Sequence, residues 1–183
     1  MNKAARFIKQ ALIIMFSLIW FLTITVSARG QDPDDLLRQK GIVLPALPGR
    51  LGSYTAVVRS GNLLYLSGKG PVRADGSDVT GKLGKDLDIS EGYAAARLCG
   101  LAQLSALKEN LGKLSRIKQI IKVTGFVNGT DSFYGQPMVM DGYSDLMTEI
   151  FGTRGIHARS AVGVAALPKG WPVEVEMIVE IGP

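Results

Sequence analysis

Residues 157–183, HARSAVGVAALPKGWPVEVEMIVEIGP, decide how the rest of the chain must be arranged. The run over 173–181 alternates. Val173, Val175, Met177, Val179 and Ile181 take one face, and Glu174, Glu176 and Glu180 the other. That period predicts a strand with one face buried. The run over 158–167 is small and apolar except for Arg159. Pro168-Lys169-Gly170-Trp171-Pro172 joins the two, so the pair reads as a hairpin. A guanidinium in an apolar strand loses hydration unless an anion meets it. That anion is either a carboxylate of the chain, with Glu176 and Glu180 the candidates, or a ligand. On the residues alone the structural pairing comes first, and Glu174 reads as a solvated strand face.

Working outward, Tyr54–Arg59 and Leu63–Ser67 read as two strands about Ser60-Gly61-Asn62. Residues 69–87 are loop, with a turn at Asp75-Gly76 and breaks at Gly81 and Gly84. A helix is predicted over 89–111, opened by Asp88 with Glu91 and closed by Gly112. Its apolar stripe is Ala94, Leu98, Leu101, Leu104, Leu107 and Leu111, with Cys99 a small helix residue nearby. Ile117–Val127 is β-branched and apolar enough to be a strand buried on both faces. A second helix follows over 138–151, presenting Val139, Met140, Tyr143, Leu146, Met147 and Ile150. The element order is β-β-α-β-α-β-β. It specifies an α+β domain of two layers, with the two helices on one face of a mixed sheet.

The first 30 residues have the form of an address. Lys3, Arg6 and Lys9 precede an uncharged apolar run from Ala11 to Val26, and Val26-Ser27-Ala28 offers a cleavage site. The run is short for a spanning helix. A signal peptide is therefore expected over 1–30, with an uncleaved membrane anchor as the alternative. Either exports the domain to the periplasm or the medium. Residues 31–50 are a lead-in with a short helix: Asp32 caps it, Pro33 starts it and Gly41 ends it. Leu36 and Leu37 are expected to pack on the main domain, residues 51–183.

The formal charge of +5 belongs mostly to the leader, which holds four of the 21 Lys and Arg and none of the 16 Asp and Glu. The remainder is near +1, and it has no basic run interleaved with aromatics. Nothing here argues for nucleic-acid binding. With one His and one Cys in the chain, an N/S-ligated metal site and an internal disulfide are both excluded as expectations.

Arg159-Ser160, Val162, Leu167-Pro168-Lys169 and Glu174-x-Glu176 together resemble the C-terminal signature of the RidA/YjgF family. Gly61–Gly68, GNLLYLSG, with Pro71 after it, resembles that family's N-terminal strand signature. The resemblance runs from about Leu51 to the C-terminus. Leu36–Pro48 and the turn at Gly152–Gly155 resemble a less-studied branch. It implies a chorismate-mutase-like fold, usually a homotrimer with sites between subunits. The implied activity is hydrolysis of small 2-imino and 2-enamino acids to 2-oxo acids and ammonia. The family's older name adds a ribonuclease reading.

That chemistry needs two groups. One is a planar cation for the substrate carboxylate. The other is a carboxylate that deprotonates water at an already electrophilic iminium carbon. No metal or cofactor is implied. The resemblance assigns Arg159 to the carboxylate and Glu174 to the water. It also carries Tyr54, Ser67 and Ala161 into the substrate site. The family's second-helix Asn has no match here, Met140 or Asp141 falling nearest, and His157 has no assigned role.

If residues 158–181 form a hairpin, Arg159 and Glu174 lie about seven strand residues apart, roughly 20–25 Å. They are then expected to meet only across a subunit boundary, which makes oligomerisation necessary for activity. Two other functions compete. The first is a non-catalytic trimer that binds a small carboxylate, which an exported location favours because deaminases of the family mostly work beside cytosolic PLP enzymes. The second is RNA cleavage, against which the near-neutral charge and the lack of a stacking platform argue. No membrane partner is expected once the leader is removed.

Overall fold

The structure is a computed structural model that describes residues 31–47 and 52–182. The leader expected over 1–30 lies outside the described residues. The described elements are α1 (Pro33–Gln39), β1 (Val57–Ser60), β2 (Leu63–Lys69), α2 (Ile89–Leu111), β3 (Ile117–Asn128), α3 (Gln136–Phe151), β4 (Ala158–Val164) and β5 (Val173–Ile181). The five strands form one sheet in the order β1-β2-β5-β3-β4. All pairs are antiparallel except β3 with β4, which is parallel. Helices α2 and α3 cover one face, as the alternation of β5 requires: its five apolar positions are buried and the positions between them are not.

Local chemistry sets the boundaries. At α2, Asp88 accepts from the Glu91 amide and Glu91 reaches back to the Asp88 amide, each at 2.8 Å. This reciprocal cap satisfies two donors the helix start would leave unpaired. At α1, Asp32 caps the amides of Asp34 and Asp35, and Leu37 is buried in the core with Leu36 packed partly against it. Helix α3 begins at Gln136, two residues earlier than its periodicity suggests, because Pro137 fits the first turn.

Four expectations are corrected. First, β4 and β5 are not a hairpin. β5 lies between β2 and β3, and β4 pairs with the far side of β3. The connection between them passes over the end of β3, where Asn128 donates its backbone amide to Pro172 O and its side-chain amide to Trp171 O. Second, β1 starts at Val57, leaving Tyr54 in the preceding loop. There the Ser67 amide donates to Ala56 O at 3.0 Å and its hydroxyl donates to Thr55 O at 2.7 Å, so a side chain extends the pairing past the end of the strand. Third, the leucine stripe of α2 is buried only in its second half, at Leu104, Leu107 and Leu111, with Leu101 packed partly against the core. Ala94 is exposed and Leu98 half-buried, while Gly92, Ala95, Ala96, Cys99, Gly100 and Gln103 face inward. Small residues let α3 approach. A Cβ on Gly100 would stand 2.7 Å from Leu146, and one on Gly142 would stand 2.0 Å from the Tyr93 carbonyl. Fourth, β3 is buried only toward the helices. On its other face Lys122, Thr124 and Phe126 remain partly open.

Candidate active site

Glu174 follows the first core residue of β5, on the face of the sheet turned away from the helices. It lies against the end of β2, where the ladder between β2 and β5 is interrupted between Leu66 and Lys69. A Cβ on Gly68 would meet Glu174 Oε1 at 2.0 Å, so only glycine leaves room for the carboxylate. Two residues on, Gly70 accepts the Trp171 indole in the same way, a Cβ there falling 2.2 Å from the ring. Asp78 fixes that indole by accepting from Trp171 Nε1 at 2.9 Å, and it accepts from Lys169 Nζ at 2.9 Å. The Ser67-Gly68-Lys69-Gly70 stretch thus packs by the absence of side chains, which explains its glycines physically.

Around this point opens a pocket of about 490 Å³, lined by Glu174, Tyr54, Lys69, Glu109, Trp171 and the lead-in residue Leu47, among others. Burial, and then the neighbouring Glu176 carboxylate, pushes the Glu174 pKa above the ordinary glutamate value. A half-desolvated carboxylate with a raised pKa beside a pocket is a suitable general base. Tyr54 lines the same pocket with its ring half exposed. The buried Cys99 thiol is pushed well above its usual pKa by desolvation and acts as packing.

Arg159 lies elsewhere. On β4 it is level with Val123 of β3 and, through Val123, with Met177 of β5. It points to the helix face, whereas Glu174 sits three residues along β5 on the opposite face. The two therefore do not meet within the chain, and the cause is the sheet order together with opposite faces, not a long hairpin. Nor does Arg159 pair with Glu176 or Glu180. Its Nη1 donates to Asp141 Oδ1 and to Ser144 Oγ, both at 2.9 Å, and its Nη2 donates to Pro137 O at 3.2 Å. The guanidinium is thus neutralised by its own chain, at the helix position nearest the missing Asn. Among the described residues its Nε–H meets no acceptor, and the side chain is 22% exposed. Ser144 Oγ is also 3.1 Å from His157 Nε2, and His157 Nδ1 lies 2.6 Å from Gly155 O. A carbonyl only accepts, so Nδ1 carries the proton and Nε2 accepts from Ser144. Burial holds His157 below its usual pKa, the Gly155 bond opposes this and Arg159 reinforces it. His157 is therefore a neutral link that orients Ser144 and, through it, Arg159.

The other assigned residues divide between these two places. Ser67 is beside the pocket, but its hydroxyl is committed to Thr55 O and its carbonyl to Gln103 Nε2. Ala161 is level with Gly125 on β3 and packs against the core from the Arg159 side. Sequence reasoning missed Lys69, Glu109 and Trp171 as pocket residues. A lysine directly after the Ser-Gly of the β2 signature was the available signal.

The family described as "YjgF/chorismate_mutase-like, putative endoribonuclease" matches residues 34–180. Protein TCP17 of Trypanosoma cruzi is 44% identical over 146 residues, spanning 79% of this chain and 91% of that one. A 2-iminobutanoate/2-iminopropanoate deaminase of Escherichia coli K12 is 32% identical over 139 residues, spanning 76% of this chain and 95% of its own. Among solved structures, the protein Atu1372 with unknown function from Agrobacterium tumefaciens superposes with a TM-score of 0.75 at 40% identity, covering 82% of this chain and 94% of that one.

Proposed function

The chain belongs to the RidA/YjgF family of chorismate-mutase-like proteins, and we propose that it hydrolyses small reactive 2-imino and 2-enamino acids to 2-oxo acids and ammonia. The observation that carries this reading is the Glu174 carboxylate, held against Gly68 at a pocket and raised in pKa by burial. In the proposed step Glu174 takes a proton from a water molecule whose oxygen attacks the iminium carbon. The C=N bond becomes C–N, and the carbon becomes tetrahedral. Glu174 returns that proton to nitrogen. As the C–N bond breaks, the hydroxyl oxygen forms the C=O bond and gives its proton to Glu174, which passes it to the departing ammonia, leaving the 2-oxo acid and ammonium. The reaction is a hydrolysis, with no change of oxidation state.

Arg159 of a neighbouring protomer, through the Nε–H that no described residue meets, grips the substrate carboxylate in this proposal. The sheet face opposite the helices supports an assembly, because Val58, Tyr65 and Val162 on it are exposed apolar residues. We propose a homotrimer joined by that face, exported by the leader. The test is release of ammonia from 2-iminopropanoate generated in situ by a dehydratase. Glu174→Gln is expected to lower kcat/KM by about 10²–10⁴-fold, and an unchanged rate in a folded variant overturns the assignment.

One observation favours a second reading, a trimer that binds small carboxylates without turnover: Asp141 already occupies Arg159. Saturable binding of pyruvate with no ammonia release from any imine would select it.

A further inference from the structure

Lys69 is the last residue of β2 and lines the same pocket as Glu174 and Tyr54. It is level with Val175 on β5, which points to the helices, so its side chain runs toward α2 and the Ala102, Ala106 and Glu109 side of the pocket. There it is half-buried, yet among the described residues its ammonium has neither a hydrogen bond nor an ion pair. The other lysine of the pocket wall, Lys169, is paired with Asp78. The guanidinium of the assigned site is paired with Asp141. Lys69 is therefore the pocket's unsatisfied cation.

A half-buried cation is costly unless an anion completes it. Glu109 is near enough to favour the charge but not to pair with it, and desolvation outweighs its influence, so the Lys69 pKa falls below the ordinary lysine value. Among the described residues, no carboxylate is close enough to form an ion pair with it. The pocket is also larger than its proposed chemistry demands. At about 490 Å³ it lies in the range that encloses drug-sized ligands, well beyond an alanine-derived imine.

Resting on the imine-hydrolase reading of this pocket, we propose that Lys69 is a specificity-determining residue that binds a second anionic group on the substrate's side chain. The preferred substrates are then imino acids carrying a side-chain carboxylate, such as those formed from aspartate or glutamate. Glu174 acts at the imine carbon at the β5 side of the pocket, and Lys69 reads the distal carboxylate at the α2 side. Ala102 and Ala106 line the same pocket with small side chains.

The experiment compares imines of aspartate, glutamate and alanine, each generated in situ by an amino-acid oxidase. It uses the wild type, Lys69→Met, which keeps the apolar stem, and Lys69→Arg, which keeps the charge. In parallel, calorimetry measures binding of the stable 2-oxo acids oxaloacetate, 2-oxoglutarate and pyruvate. The wild type is expected to favour the dicarboxylates. Lys69→Met is expected to lower the dicarboxylate-to-monocarboxylate ratio about ten- to hundredfold in kcat/KM and in affinity. Lys69→Arg is expected to keep most of it. A ratio unmoved by Lys69→Met, or a wild type that favours pyruvate and the alanine-derived imine, overturns the proposal. If no imine is turned over, the imine-hydrolase reading fails, and the binding ratio still decides the role of Lys69.

Discussion

Gly68→Ala tests the placement of Glu174 without removing its charge. The added Cβ would stand 2.0 Å from Glu174 Oε1, 2.8 Å from Cδ and 3.0 Å from Cγ. No backbone atom is among these contacts, so the carboxylate yields and the strand stays. To reach ordinary contact it must retreat by roughly 1–1.5 Å. Gly68 is not among the positive-φ glycines, so alanine fits its backbone. The loss of unfolded-state freedom stabilises by about 0.4–1 kcal/mol. A displaced rotamer costs about 0.5–1.5 kcal/mol. Net stability should therefore change by no more than about 1 kcal/mol, readable by urea denaturation. Activity should not survive so well, since misplacing a catalytic group by about 1 Å costs about 10²-fold. The assay is ammonia release from 2-iminopropanoate at fixed oligomer concentration. Full activity in the folded variant would refute the placement of Glu174 as the base. A collapse of stability would show that the clash falls on the fold instead.

Other consequences are open to the same tests. Because Glu174 must be ionised to act, kcat/KM should rise with pH through an apparent pKa above that of ordinary glutamate, the direction set by its burial and by Glu176. The folded chain also holds this proton more tightly than the unfolded one. Its contribution to stability is thus present below the unfolded pKa and lost as pH rises through the raised folded value, and Glu174→Gln should flatten that loss in denaturation series across this window. Asp141→Asn should free Arg159 and tighten pyruvate binding several-fold by calorimetry. Its stability cost should stay below about 1 kcal/mol, because the Asp141 side chain is 50% exposed. Gly142→Ala should destabilise by about 3 kcal/mol or more, seen as a lower Tm, because its Cβ would meet the Tyr93 carbonyl at 2.0 Å and neither backbone can yield freely.

Much of the architecture was legible because period and punctuation agreed with it. Helix α2 matches its predicted limits, since Asp88, Glu91 and Gly112 each satisfy or release particular backbone groups. The span of β5 was legible from its alternation. Its neighbours were not, because alternation fixes which face is buried and says nothing of which strand lies alongside. The hairpin reading of 158–181 failed for that reason. Leu104, Leu107 and Leu111 of α2 were legible as core, but the inward face of its first half was missed because close helix packing there selects Gly and Ala, residues with little hydrophobic signal. At the site, Arg159 stood out by its cost in an apolar strand, whereas Glu174 read as a solvated strand face and was singled out only by the family resemblance. The partner of Arg159 was not, since Asp141 is 18 positions away and reaches it only through the packing of α3 on β4. Lys69 carried its charge openly in the sequence, but only the fold shows that no described residue pairs with it.

The central claim is that Glu174 of one protomer and Arg159 of another complete a single site. Co-expression of Arg159→Met with Glu174→Gln in one cell tests it most directly, after each has been shown to be inactive in isolation. If the two groups act across a boundary in a ring, random assembly at equal levels restores an intact pair at about a quarter of the sites, with activity to match. Hybrids that stay as inactive as either parent would contradict the claim.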